Sequence, residues 1–400
     1  MSGRCTAPGP ARTTHAFRTP GAGLSGSPTI FLSAGEPSGD LHGAPLVRAL
    51  RERVPDARIV GLGGRRMAAE GMEVLVDVGD LAVMGFAEVV RRIPYFLRLE
   101  RQIASRFHQD DISLFLPIDF PGLNLRLARR ARRAGVPVLY FIAPQVWAWR
   151  AHRARGLARD AARVAVILPF EEEFLRRAGV NATFVGHPLL EHAADDEPRR
   201  SWCTRMGLDP DRPVLALFPG SRGQEIIRHG ELFSEAARRV VGARPEVQPV
   251  VGFHPDVPAS RYGSLPFPRV SGSDGLLAHA TAALVKSGTS TLEAALAGVP
   301  FVVSYRVHPL SFAVARRVVN VPHVALANLV AGKRVVPELL QEDATPGALA
   351  DAILPLLDPE SEARREMLAG LAEIRARLGG PGAADRVAEM AIDLLGDGTS

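Results

Sequence analysis

The chain has 400 residues, 46% of them hydrophobic and 23% charged, with a formal net charge of +5. That composition excludes a disordered or fibrous chain and leaves room for two globular domains. With two cysteines, Cys5 and Cys203, it also excludes a disulfide framework and a cysteine metal cluster, which fits a reducing compartment.

Residues 1–27 carry three arginines and no acid but lack an apolar signal region, and read as a disordered tail. Strand and helix then alternate, the pattern of parallel sheets. Strands are expected at Thr29–Ser33, Arg58–Gly61, Leu114–Leu116, Val138–Ile142, Val164–Ile167 and Thr183–Val185, with helices at Asp40–Arg53, Gly122–Ala134 and Phe170–Ala178. The polar stretch His192–Arg200 is the best boundary. A second series follows: Val214–Phe218, helix Gln224–Val241, Val247–Gly252, Ala282–Val285 and Phe301–Ser304, then helices from Pro346 to Leu395. No segment offers 18 consecutive apolar residues, so no spanning helix is expected.

Basic charge is concentrated in the first half. Residues 1–190 hold 26 Arg against 17 acids, a net of +9, and the remainder nets −4. High-GC coding bias and an anionic surface or substrate both account for it. Two amphipathic stretches, Val83–Arg101 and Tyr305–Val319, read either as ordinary packing or as an Arg-rimmed patch on an anionic bilayer.

Ligands of open parallel sheets bind beyond the carboxyl ends of the strands. There the chain places SAGEPSGDLHG (Ser33–Gly43), whose polar residues exceed what capping needs, although Asp40 can cap its helix. Next comes IDFPGLN (Ile118–Asn124). Asp119 lies beyond a strand among apolar neighbours and reads either as a helix cap or as a general base. YFIAPQVWAWR follows, its two Trp suited to core packing. LFPGSRGQE (Leu217–Glu225) puts Arg222 in a glycine turn where it can pair a diphosphate. It fails as a serine-hydrolase elbow and as a Walker loop. IVGLGG (Ile59–Gly64) lacks the third dinucleotide glycine and reads as a turn. LVKSGTSTLEAALAGVPFVV (Leu284–Val303) is the most pointed: strand, glycine turn, helix start, one early acid. Small residues at a helix N-terminus favour phosphate, and Glu293 suits a ribose diol. Lys286 reads as a phosphate neutraliser or a plain surface lysine. The histidines are scattered and form no metal-ligand spacing.

SAGEPSGDLHG, VMGFAEV, IDFPGLN, APQVWAWR, LPFEEEF, FVGHPL, FPGSRGQEI, KSGTSTLEA and YRVHPLSF…HVALANLVAGKRVVPELLQ, in this order over about residues 29–345, resemble lipid-A-disaccharide synthase. The resemblance implies an α/β glycosyltransferase B fold: two Rossmann-like doubly wound domains facing a cleft. It assigns 28–195 to the acceptor and lipid side, 196–345 to the UDP-sugar side, and 346–400 to C-terminal helices. It implies transfer of 2,3-diacylglucosamine from UDP-2,3-diacylglucosamine to 2,3-diacylglucosamine 1-phosphate (lipid X), giving a β-1',6 disaccharide 1-phosphate and UDP in one inverting displacement. Asp119 is then the base. Gly220, Ser221, Arg222, Gly223, Ser287, Gly288 and Thr289 take the leaving UDP, and Glu293 holds the ribose. Glu36, Ser38, Gly39, Asp40, Gln145 and Asn328 join the acceptor or donor surroundings. The same resemblance implies no cofactor, no metal and no nucleic acid, a peripheral seat on the anionic cytoplasmic face of the inner membrane, and leaves a homodimer open.

The rival readings are a UDP-GlcNAc 2-epimerase or MurG-like transferase of the same architecture, in which the WAW and NLVAGKR segments would be idle, and a non-catalytic membrane-surface binder. The crowded polar loops in both halves count against the latter.

Overall fold

The computed structural model describes residues 27–81, 86–109, 111–149, 153–191, 196–254, 257–263, 265–308, 312 and 322–397. The expected tail and most of Tyr305–Val319 lie outside these residues, as do parts of the Val83–Arg101 stretch.

The first sheet has seven strands: β1 (Thr29–Ala34), β2 (Arg58–Gly63), β3 (Glu73–Asp77), β4 (Ile112–Ile118), β5 (Leu139–Phe141), β6 (Arg163–Val166) and β7 (Ala182–Phe184). Their order is β3-β2-β1-β4-β5-β6-β7. The second has six: β8 (Val214–Phe218), β9 (Gln248–Phe253), β10 (Arg269–Ser271), β11 (Ala282–Lys286), β12 (Phe301–Tyr305) and β13 (Glu338–Leu340), ordered β10-β9-β8-β11-β12-β13. The registered pairs β1 with β2 and β4, and β8 with β9 and β11, are parallel. Both sheets therefore repeat the doubly wound order, in which the strands stay parallel but the order in which the chain adds them switches sides between β1 and β4 and between β8 and β11. The central strands are buried along their length, as parallel strands covered by helices on both faces must be: every residue of β8 is buried, as are five of the six in β1.

The chain forms two compact units. The first takes the chain to Pro144, then Arg155–Ala165 and the end from Ala384; the second takes Gln145–Ala154 and Val166–Ala383. The last helix, Ala383–Asp397, thus returns to the first unit. Asp385 pairs with Arg53 at 2.8 Å and Asp393 with Arg163 at 2.8 Å, while Val387, Ala388 and Ala391 are buried.

The IVGLGG segment, expected as a turn, lies almost wholly in β2: Ile59–Gly63 are strand and only Gly64 leads into the next helix. Gly61 lies inside β2 with φ of +153°, and a Cβ there would meet the Leu32 carbonyl oxygen at 1.8 Å. Glycine is what lets β2 lie against β1 at that register.

Among the described residues no helix is long and apolar enough to cross a membrane.

Candidate active site

In the first unit the switch in strand order brings the ends of β1 and β4 side by side, with Ala34 opposite Ile118. Asn124, fully buried in the helix Pro121–Arg133, stitches them together. Its Oδ1 accepts from the Ser33 hydroxyl at 2.6 Å. Its Nδ2 donates to the carbonyls of Ser33 (3.0 Å), Ile118 (3.2 Å) and Asp119 (2.8 Å). Tyr140, the middle residue of β5, donates its hydroxyl to the same Asp119 carbonyl at 2.8 Å. These bonds secure a strained corner. Asp119 and Phe120 both take left-handed conformations, φ 45° and 49°, which costs ~1–2 kcal/mol each for non-glycine residues.

The corner determines what Asp119 can do. Phe120, not Asp119, is the helix N-cap residue, and it makes no side-chain cap bond, so the capping reading of Asp119 does not hold. Burial, and then the neighbouring Glu36 carboxylate, push the Asp119 carboxyl up to about 6, partly opposed by the Phe120 backbone N–H. That is a carboxylate poised near neutrality, as a general base requires. Tyr140 is pushed well above its usual value, by burial first and by Asp119 second, and stays a donor.

The other predicted residues of this unit divide. Glu36 and Ser38 are exposed at the start of the helix Pro37–Arg53, while Gly39 is buried, where a Cβ would press on Ala34 at 3.0 Å. Asp40 does not cap its own helix, which begins three residues earlier at Pro37 because the proline suits the first turn. Its buried carboxylate instead accepts from the N–H groups of Gly64 (2.7 Å), Arg66 (3.1 Å) and Met67 (3.1 Å), capping the next helix, Arg65–Ala69. Gly35 was not singled out, yet a Cβ there would meet the Phe120 ring at 2.1 Å.

In the second unit the ends of β8 and β11 carry a network that sequence reasoning only touched. Lys286 Nζ lies 2.8 Å from Glu225 Oε1, and Glu225 Oε2 accepts from the Ser221 N–H at 3.2 Å. Burial tends to raise the Glu225 carboxyl, but Lys286, Ser221 and Arg222 together hold it below the usual range. Gly220, φ 125°, is pinned by Tyr262, whose hydroxyl donates to its carbonyl at 3.0 Å and accepts from the His254 N–H at 3.1 Å. Arg222 is the N-cap residue of the helix Gly223–Ala243, with its side chain largely exposed and 3.9 Å from Glu225. His229 is fully buried and held below its usual pKa, chiefly by burial. Its Nε2 accepts from the Arg306 N–H at 3.0 Å, so Nδ1 carries the proton and donates to the Glu225 carbonyl at 2.9 Å.

Around the glycine turn the outcome is mixed. The Ser287 N–H is spent on the Ser304 carbonyl and its hydroxyl on Val324, so this serine builds the turn. Gly288 has φ of +155°, Thr289 is the N-cap residue, and Thr291 donates its hydroxyl to the Gly288 carbonyl. Glu293 is hydrogen-bonded by Ser273 and Ser290, and its carboxyl is raised chiefly by burial. Asn328 is completely buried and completely used. Its Nδ2 donates to Val336 O (2.9 Å) and Glu338 Oε1 (2.7 Å), and its Oδ1 accepts from Val335 and Val336 (2.7 and 2.9 Å). Gln145 is exposed. Trp147 is packing, as its composition suggested: its ring sits edge-on to Phe170 at 5.0 Å and its Nε1 donates to Glu171. Among the described residues no group of three His, Cys, Asp or Glu side chains is placed to hold a metal ion.

Comparison with known proteins decides the family. The model of the family described as lipid-A-disaccharide synthetase matches residues 30–377. The chain belongs to the lipid-A-disaccharide synthase family. It is 44% identical over 398 residues to the lipid-A-disaccharide synthase of Acidobacterium capsulatum, covering 93% of this chain and 98% of that one. It is 42% identical to that of Myxococcus xanthus, covering 94% and 100%. Solved structures with the same architecture include a putative UDP-N-acetylglucosamine 2-epimerase from Listeria monocytogenes, with TM-score 0.63, 14% identity, and 94% and 98% coverage. The calicheamicin glycosyltransferase CalG4 also matches, with TM-score 0.57, 18% identity, and 93% and 99% coverage. At these identities the likeness shows the fold, and it is the glycosyltransferase B type. For this lipid-A-disaccharide synthase family member the epimerase and MurG-like alternatives are not favoured.

Proposed function

We propose that this protein transfers 2,3-diacylglucosamine from its UDP conjugate to the 6-hydroxyl of 2,3-diacylglucosamine 1-phosphate, by a single inverting displacement. The observation that carries this reading, within the family, is Asp119: a half-buried carboxyl raised to about 6 at the end of β4. It takes the acceptor's hydroxyl proton as the glycosidic oxygen forms its bond. The leaving UDP carries the displaced electron pair and needs positive charge. Arg222, Lys286 and the N-terminus of the 21-residue helix Gly223–Ala243 supply it. Gly220, Ser221, Gly223, Gly288 and Thr289 form the backbone surroundings of the diphosphate, and Glu293 accepts from the ribose diol. Glu36 and Ser38, exposed beside Asp119's loop, and Gln145 belong to the acceptor or donor surroundings.

Both substrates are acylated, so the protein works at a bilayer surface. We place it on the cytoplasmic face of the inner membrane as a peripheral protein. Ile93, Tyr95 and Leu97, exposed on the helix Phe86–Gln109 beside Arg98 and Arg101, support this. A second copy of the chain is compatible with the reading but carries no part of it.

The test is UDP release from UDP-2,3-diacylglucosamine with lipid X, for wild type and Asp119→Ala, with and without EDTA. Removing the base should lower the rate by ~10²–10⁴-fold. A near-normal Asp119→Ala rate removes that residue as base, and loss of wild-type activity in EDTA contradicts a metal-free displacement.

A further inference from the structure

Glu225 stands where the strand order of the second sheet switches sides, between β8 and β11, and contacts three groups suited to an anion. Its Oε2 accepts the Ser221 N–H at 3.2 Å; its Oε1 lies 2.8 Å from Lys286 Nζ and 3.9 Å from Arg222 Nη1. A backbone N–H of a strand-to-helix loop, a lysine and an arginine at the start of a long helix are what a phosphate oxygen takes. The carboxylate lies close over the loop, since a Cβ on Gly220 would come within 2.8 Å of Oε2. Neither member of the ion pair is well solvated: Lys286 is 15% exposed and Glu225 18%. Lys286 also lies over the Tyr305 ring, 5.7 Å from its centre, so its ammonium is confined to the end of β11. A half-buried lysine confined in this way is neutralised by Glu225 or by an incoming anion, and one ammonium in this space cannot serve both fully.

We propose that Glu225 is an internal competitor for the diphosphate. Its carboxylate takes the lysine, the arginine and the Ser221 N–H that the UDP moiety needs, so that donor binding draws these groups from Glu225 and UDP departs as Glu225 takes them back. The device keeps UDP from binding too tightly after transfer, the step at which product release can limit turnover. No proton or bond is exchanged. Lys286 stays an ammonium and changes partner.

This rests on the UDP-sugar reading, and calorimetric titration of UDP into the full-length protein separates the two. If wild type binds no UDP, the functional reading fails. Given wild-type binding, Glu225→Gln keeps the shape and the Ser221 contact while removing the charge, and should bind UDP roughly fivefold tighter. Lys286→Ala should bind it more weakly. In steady state Glu225→Gln should lower kcat and the donor KM together, whereas a merely structural Glu225 would raise KM. Glu225→Asp, which shortens the reach to Lys286, should tighten UDP to a lesser degree and serves if the glutamine variant does not fold. UDP affinity unchanged or weakened in both Glu225 variants overturns the proposal while leaving the transferase reading intact.

Discussion

Tyr140 and Asp119 are joined through the backbone: the buried phenol of one donates to the carbonyl of the other at 2.8 Å, just where the chain turns left-handed after β4. The bond fixes the peptide from which the Asp119 carboxyl projects. Tyr140→Phe should destabilise the protein by about 1–3 kcal/mol, the cost of leaving a buried acceptor short of a donor. It should also lower kcat by up to about tenfold with KM little changed, because the base loses alignment. Urea unfolding and UDP-release kinetics measure the two effects; a normal kcat would mean that Asn124 alone holds the corner.

The pH profile follows from Asp119. Its carboxyl is raised from 3.8 to about 6, so the base is protonated below that value and the rate should climb about tenfold per pH unit up to ~6, then level. Stability runs the other way. The folded state holds this proton more tightly than the unfolded chain, so folding loses free energy as pH rises from 3.8 to about 6, and the penalty persists above. Asp119→Asn should therefore lose ~10²–10⁴-fold in rate but be more stable above pH ~6, by on the order of 2–3 kcal/mol, and the gain should vanish below pH ~4. Thermal melts of both proteins across this range test it; a gain that does not depend on pH would place its origin elsewhere.

Asp40 predicts a stability effect at a distance in sequence. Its carboxylate serves Gly64, Arg66 and Met67, so Asp40→Ala leaves the helix Arg65–Ala69 without its cap. The expected loss is about 1–3 kcal/mol, with Asp40→Asn keeping part of it. The urea midpoint reports this, and a midpoint equal to wild type for the alanine variant would contradict the capping role.

Asn328 should behave as a structural clamp. Asn328→Ala strands two backbone N–H groups and a carbonyl and should cost about 3 kcal/mol or more. Asn328→Asp sets a carboxylate where Nδ2 now meets Glu338 at 2.7 Å, so its damage should ease when the pH is lowered toward 5. Equal melting temperatures for Asn328→Asp at both pH values would count against that geometry.

Much of the architecture was readable because the inner strands are continuous apolar runs bounded by glycine turns, as β8 and β11 illustrate. The strands that escaped, β3, β10 and β13, lie at sheet edges. They are three to five residues long and lack a buried run, as the all-intermediate β13 and the largely exposed β10 attest. In the site, Asp119 and the glycine turns announced themselves through loop position. Tyr140 and Glu225 did not. Neither stood out within its motif, because the partners that give them a role lie 21 and 61 residues away. Asp40 and Asn328 were visible as polar residues in distinctive motifs, but only the bonds they make reveal that both are occupied in holding backbone.

The ring of Phe120 lies where a side chain at position 35 would otherwise begin, and its centre is 6.4 Å from that of the Phe96 ring. The two loops that end β1 and β4 therefore share one volume. A methyl group at Gly35 has no room unless the ring leaves, and a ring that leaves takes with it the left-handed residue next to Asp119. Positions 35 and 120 are thus ordered as well as coupled: a side chain at 35 gains room only after the ring at 120 has been made smaller, so a change at 120 must come first or with it.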